Sequence, residues 1–309
     1  MNILPFPPWS APGCAVFRVV WAILALPDFL WNMMNFVTKT SNFLFTFVRY
    51  SIIMIPSFGK WGILGMGELI AVLSGKGGTG KTSVCAGVST ALAERGASIL
   101  CIDCDIGLRN LDISLGLSQI SALSFVDVCQ GGYSLDQATK HPLYPNLHFL
   151  TAPVNCPASQ VDAQAFAEML RQARARYQYV FLDAPAGIDE GFHLAARFAD
   201  RMLLVTGPDP ASVRDVTRAG ELLELMGKQD VRMIVNRVDP KMVSAMSLTI
   251  DDVMDHAGLP LIGVVPEDPN VILGATFGVP LIRRTKRGAG AACRRIAKRI
   301  QGLSQAIDL

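Results

Sequence analysis

Residues 74–83 read S-G-K-G-G-T-G-K-T-S, which places Gly75, Gly80, Lys81 and Thr82 at the spacing G-x-x-x-x-G-K-[ST]. Backbone N–H groups in such a loop can wrap a phosphate chain, because glycine leaves the main chain bare and free to turn toward an anion. The candidate phosphate contacts are therefore Gly75, Lys76, Gly77, Gly78, Thr79, Gly80, Lys81, Thr82 and Ser83. In that reading Lys81 neutralises the β- and γ-phosphates of a nucleotide, and the Thr82 hydroxyl sits on Mg²⁺. Lys76 is the odd residue, since an ordinary phosphate loop needs no lysine directly after its first glycine. A solvated Lys76 would say nothing; a Lys76 aimed at phosphate would change the mechanism.

Three other segments end apolar runs with polar chemistry. The first, I-D-C-D-I-G-L-R-N-L-D at 102–112, carries Asp105, Arg109 and Asn110. The second, F-L-D-A-P-A-G at 181–187, puts Asp183 where a carboxylate can hold Mg²⁺ through water, although a lone aspartate there is more often a cap or turn former. The third is V-N-R at 235–237, where the Asn236 amide could read a base edge or simply form a turn.

These residues need a scaffold that brings strand ends together. Short apolar runs at 69–73, 98–102, 147–150, 179–182, 202–206, 231–235 and 261–265 are rich in Val, Ile and Leu with little polar alternation. That pattern predicts strands covered on both faces. Helical spacing falls between them at 81–95, 163–177, 211–226 and 250–256. The alternation predicts a three-layer α/β fold around a doubly wound, mostly parallel sheet, with ligands at the carboxyl ends of the strands. A strand, a glycine loop and a helix N-terminus then form the phosphate site, to which the helix dipole adds.

Composition divides the chain at Met66. All four tryptophans (Trp9, Trp21, Trp31, Trp61) and eight of the fifteen phenylalanines precede it, with only Arg18, Asp28, Lys39, Arg49 and Lys60 charged. From Met66 onward acidic and basic residues nearly balance, so no broad footprint for DNA is expected. As membrane spans the apolar runs before Met66 are short and interrupted by Pro27, Asp28 and Arg49. As a signal peptide the stretch is too long and lacks a basic start. The expectation is that residues 1–65 are a misassigned start or a disordered extension, with the working ATPase domain at 66–309. A membrane anchor or a folded subdomain are the alternatives. The seven cysteines, odd in number and set in apolar runs, are expected to be reduced and buried, including the Cys101-x-x-Cys104 pair.

Taken together, S-G-K-G-G-T-G-K-T-S, I-D-C-D-I-G-L-R-N-L-D and D-A-P-A-G resemble the deviant Walker-A ATPases, the MinD/ParA family of P-loop proteins. S-V-R-D at 212–215 and V-P-E-D at 265–268 add to the resemblance, which covers residue 66 to about 303 and none of 1–65. It implies that Lys76 reaches across an ATP-bound homodimer to the partner's phosphates and that Lys81 and Thr82 hold phosphate and Mg²⁺. It implies further that Asp105 orients the attacking water and that Asp183 takes the Walker-B position. Arg109 and Asn110 would lie in a switch segment, with Ser212 and Asp215 at a partner surface. Asn236 would contact adenine beneath a loop of Pro266, Glu267 and Asp268.

The activity implied is Mg²⁺-dependent ATP hydrolysis by a dimerisation switch that regulates placement of the division septum. Its implied partners are division-inhibitor and topological-specificity proteins of the Min type and an anionic membrane surface. Its implied location is the cytoplasm, peripheral on the inner membrane face when ATP-bound. A flagellar-number or partition ATPase of the same fold is the alternative, and a non-hydrolysing adaptor a weaker one. An iron–sulfur electron-transfer ATPase would need cluster ligands such as Cys129 and Cys156, and the D-I-G-L-R-N-L-D segment argues against it.

One feature departs from the family. A final helix is expected at 293–307, with Ile296, Ile300, Leu303 and Ile307 in a narrow stripe and Arg294, Arg295, Lys298 and Arg299 mostly opposite. The pattern suits a membrane-surface helix. Its place in the chain instead matches the family's last core-packing helix, with no separate amphipathic tail after it. Core packing is the favoured reading, and the basic cluster at 283–299 could still attract anionic lipid.

Overall fold

The computed structural model describes residues 66–153, 161–245 and 249–307. The expectations for residues 1–65 and for Cys156 lie outside the described residues. Within them, eight strands form one sheet: β1 Glu68–Leu73, β2 Ile99–Asp103, β3 Thr139–Lys140, β4 Leu147–Leu150, β5 Tyr179–Asp183, β6 Arg201–Thr206, β7 Asp230–Val238 and β8 Leu261–Pro266. Their order is β3-β4-β2-β5-β1-β6-β7-β8, and every neighbouring pair is parallel except β3 with β4. The doubly wound sheet expected from the sequence is thus present, and all seven apolar runs are strands. β3 was not anticipated, because its two residues carry no apolar pattern.

Alternate residues of β1 enter two separate cores. Leu69, Ala71 and Leu73 join Leu100, Ile102, Leu182 and Leu204 on one face, while Ile70 and Val72 join Cys101, Phe181 and Leu203 on the other. A strand buried on both sides has no place for polar alternation, which is why these runs read as continuous apolar sequence. Cys101 and Cys104 fall in opposite cores as free buried thiols, as their spacing in the strand required.

The helices are α1 Lys81–Glu94, α2 Leu111–Leu115, α3 Phe125–Cys129, α4 Ala163–Arg176, α5 Glu190–Phe198, α6 Pro210–Leu225, α7 Pro240–Ala245, α8 Ile250–Ala257, α9 Pro269–Phe277, α10 Leu281–Arg284 and α11 Gly288–Ile300. α4, α5, α6 and α8 cover the first face through residues such as Phe166, Phe192, Val216 and Val253. α1 and α11 cover the second through Val84, Val88, Leu92, Ala292 and Ile296. These two helices approach so closely that a Cβ at Gly87 would lie 2.7 Å from Cys293 Sγ.

The last helix differs from its expected bounds. It begins five residues earlier, at Gly288, and ends at Ile300, where Gly302 at φ 76 closes it. The G-A-G-A-A start has poor helix propensity but lets the backbone pack tightly, with Ala289 N–H donating to Asp268 Oδ2 at 3.0 Å. Ile296 and Ile300 are buried against the sheet, whereas Leu303 and Ile307 lie beyond the helix and are exposed. Two of its cations tie it down. Arg294 Nη2 donates to Ile282 O at 2.7 Å and its guanidinium pairs with Glu94, and Arg299 donates to Ile262 O. The core-packing reading holds for this helix at Ile296 and Ile300, while Leu303 and Ile307 of the expected stripe fall outside it.

Candidate active site

The phosphate loop joins β1 to α1 at the centre of the sheet. Gly80 is the N-cap of α1 with φ 82, and α1 has neither a side-chain cap nor an acidic residue in its first turn. Its first N–H groups are therefore free for an anion. A Cβ at Gly80 would stand 2.3 Å from Asn236 Nδ2, and one at Gly75 would stand 2.4 Å from the Asp215 carbonyl oxygen. Both glycines are required by close approach as well as by the anion.

Lys81 is buried at the loop's end. Its Nζ donates to Asp183 Oδ1 at 2.8 Å and lies 3.4 Å from Thr82 Oγ1. Burial opposes the ammonium charge, yet Asp183 outweighs it and holds the lysine pKa above its ordinary value. Burial likewise raises the Asp183 pKa, and Lys81 pulls it partly back. Asp183 Oδ2 is buried with no partner. An orphaned carboxylate oxygen beside the Thr82 hydroxyl fits Mg²⁺, which takes hard oxygen donors and keeps most of its other positions for water and phosphate.

Asp105 lies across the loop and lines one cavity with Lys81, Thr82, Leu108, Asn110 and Ala186. Its segment is held by a residue that the sequence reading did not assign. Asp103, fully buried at the end of β2, accepts the Asp105 N–H at 3.0 Å and the Leu111 N–H at 3.2 Å. Burial first, then the Asp183 charge opposite it in register, pushes its pKa up to about 7. The only signal in the sequence was a second strand-end aspartate two residues before Asp105. Arg109 adopts φ 47 and donates from Nε to Thr151 Oγ1 at 3.1 Å, while Asn110 occupies the N-cap position of α2. A left-handed backbone is disfavoured for a residue with a Cβ and persists only where its surroundings impose it.

Lys76 lines the loop cavity with Thr79, Lys81, Thr82 and Asp105, and it also reaches Asp209 at the rim. Its Nζ lies 3.2 Å from Asp209 Oδ1, both side chains being partly exposed. Asp209, also absent from the sequence reading, caps α6 by accepting the Ser212 N–H at 3.0 Å and the Ser212 hydroxyl. Burial tends to raise the Asp209 pKa, but the Ser212 bonds and Lys76 bring it below the usual carboxylate value. The expected partner surface is corrected at Ser212, which is buried because its hydroxyl and N–H are both committed to Asp209; Asp215 is half-buried and its backbone packs on Gly75.

On the opposite side a cavity of ≈ 210 Å³ is lined by Ser83, Val84, Asn236, Pro266, Val271 and Ala289, among others. Its walls are mostly apolar with a few amides and carboxylates, as a base pocket requires. Asn236 donates from Nδ2 to Thr79 O at 2.7 Å. Glu267 also lines the cavity and pairs with Arg237, Nε to Oε2 2.9 Å. Asp268 accepts from Asn270 N at 2.9 Å and from Ala289 N, so its carboxylate joins α9 to α11 and shapes the pocket.

Comparison with known proteins agrees with this geometry. The septum site-determining protein MinD of Synechocystis is 37% identical over 240 residues, spanning 77% of this chain and 90% of its own. Among solved structures, the MinC:MinD cell division protein complex of Aquifex aeolicus aligns with TM-score 0.73 and 34% identity over 79% of this chain and 99% of that one. MinD from Pyrococcus horikoshii complexed with Mg-ADP aligns with TM-score 0.67 and 28% identity over 76% of this chain and 96% of that one. Residues 70–281 match the family described as the CobQ/CobB/MinD/ParA nucleotide binding domain, and the chain belongs to that family.

Proposed function

We propose that this protein is a MinD-type ATPase, an ATP-driven dimerisation switch that helps to place the division septum. The observation that carries the reading is a second lysine, Lys76, on the wall of the phosphate cavity, with its Nζ paired to Asp209 at the rim. The relatives named as septum site-determining proteins, and the solved MinC:MinD complex, support a Min-type partner.

The chemistry follows from the side chains. Phosphoryl transfer needs positioning and charge neutralisation more than covalent participation. The α1 N-terminus and the glycine loop hold the phosphate chain, and Lys81 exchanges its contact with Asp183 for phosphate oxygens. Thr82 and Asp183 would hold Mg²⁺, which would supply charge neutralisation to the phosphate chain. Asp105, at the open end of the cavity, orients the attacking water. Lys76 of one subunit crosses to the phosphates of the other, so that hydrolysis depends on dimer formation. The base enters the pocket under Pro266 and Glu267, where Asn236 reads its edge.

Membrane recruitment is part of the proposal. Among the described residues no helix is long and apolar enough to cross a membrane. Exposed cations such as Arg283, Lys286 and Arg287 would meet an anionic surface. Light scattering and hydrolysis assays of the full chain with ATP test the switch. Lys76→Ala is expected to stay monomeric and to lose turnover; normal dimerisation and turnover in that variant would sink the reading. Co-sedimentation with anionic vesicles against retention on DNA, each with and without ATP, separates a membrane switch from a partition ATPase.

A further inference from the structure

The end of β7 carries a distortion that the phosphate chemistry leaves unexplained. Its pairing with β8 shifts register between Val235 and Val238, and within that stretch Arg237 adopts φ 59. A left-handed backbone is disfavoured for any residue with a Cβ and persists only where its surroundings impose it. In a regular strand Asn236 and Arg237 would point to opposite faces of the sheet. The bulge instead sends both side chains to the phosphate loop. Asn236 Nδ2 donates to Thr79 O at 2.7 Å, and Arg237 Nη1 donates to Gly78 O at 3.1 Å. Arg237 Nε reaches in addition to Glu267 Oε2 at 2.9 Å, in the loop that closes the base pocket.

The two carbonyls belong to successive peptide units. A trans peptide points its C=O and its N–H in opposite directions. Holding Gly78 O and Thr79 O toward β7 therefore turns the Thr79 and Gly80 N–H groups away from β7, into the cradle. We propose that Arg237 is a positioning residue for nucleotide binding, a clasp that fixes the phosphate loop's donors and ties them to the base-closing loop through Glu267. A partly exposed ion pair alone would contribute little. The strained backbone and the charge-assisted bond to a loop carbonyl distinguish this one.

The clasp does not rest on the dimerisation reading, because its test reads ligand binding alone. Arg237→Gly removes the guanidinium while keeping φ 59 accessible, so the ligand-free protein should melt at or above the wild-type temperature. Calorimetric titration with ADP and with inorganic tripolyphosphate, both with Mg²⁺, should show each weakened by about tenfold. Arg237→Lys, which cannot bridge both acceptors with a fork, should restore only part of the loss. Glu267→Gln tests the clasp from its other side and should weaken tripolyphosphate in the same direction by a smaller factor. Wild-type affinity for both ligands in Arg237→Gly would overturn the proposal. So would a loss confined to ADP, which would make Arg237 a base contact, or full recovery by lysine.

Discussion

Lys81 and Asp183 form an ion pair of 2.8 Å with side chains only 6% and 1% exposed, at the point where β1 and β5 run side by side. The carboxylate keeps the buried lysine charged, and Asp183 Oδ2 has no hydrogen-bond partner.

The pair predicts a strongly non-additive mutant cycle. Lys81→Met leaves Asp183 buried without its cation, and Asp183→Leu leaves Lys81 buried without its anion. Each should lower stability by roughly 3–5 kcal/mol, because an uncompensated buried charge is left behind. The double variant replaces the pair with apolar groups of similar size and should be far less destabilised than the sum. Urea unfolding without nucleotide measures all three; additive losses would mean that the pair is not coupled in solution.

Lys76 and Asp209 predict a different outcome because they are half in water. Exposed pairs contribute about 0–1 kcal/mol. Asp209→Asn keeps an oxygen for the Ser212 N–H and so preserves the α6 cap, but it removes the charge that holds Lys76. Stability should change by less than about 1 kcal/mol. Dimer formation with a non-hydrolysable ATP analogue should tighten by up to about fivefold, since Lys76 no longer leaves a partner on crossing. Sedimentation velocity over a concentration series gives the dimer constant, and an unchanged value would detach Asp209 from the switch.

Much of this was legible in the sequence, and the exceptions have physical causes. The phosphate loop, Asp105, Asp183 and Asn236 sit in contiguous motifs beside apolar runs, so local pattern was enough to find them. Asp103 and Asp209 act by accepting nearby backbone N–H groups, a role that many strand-end and cap aspartates share, and Arg237 acts through a backbone distortion that local pattern does not show. α11 was misplaced because its glycine-rich start reads as a breaker. Close approaches that the sequence does not show require the small residues there: a Cβ at Gly288 would lie 2.4 Å from Asp268 Oδ2, and one at Gly290 would lie 2.4 Å from Thr285 O.

The position of α11 can be tested by its own stripe. Ile296 is fully buried, so Ile296→Ala should lower stability by about 2–5 kcal/mol. Leu303 is exposed beyond the helix end, and Leu303→Ala should stay within about 0.5 kcal/mol of wild type. A helix lying on lipid would give the reverse pattern, with unchanged melting in both variants and a loss of vesicle binding. Denaturant unfolding of the full chain distinguishes the two.

His141 supplies a pH dependence whose sign is fixed by its bonds. Its Nδ1 accepts the Leu143 N–H at 3.0 Å, so the neutral ring carries its proton on Nε2, 2.9 Å from Leu115 O at the end of α2. Burial lowers its pKa below the ordinary histidine value of 6.5, and the Leu115 carbonyl offsets this only in part. The folded state thus resists a proton that the unfolded chain accepts. Above pH 6.5 both states are neutral and the residue adds no slope. As pH falls below 6.5 the unfolded state binds more protons and stability declines, until the folded pKa is passed and the loss levels off. Subtracting the curve of His141→Gln from that of the wild type isolates this contribution from the carboxylates. The difference should fall as pH drops through 6.5 and level off once the lowered folded pKa is passed. Parallel curves for the two proteins would mean that His141 titrates alike in the folded and unfolded chains.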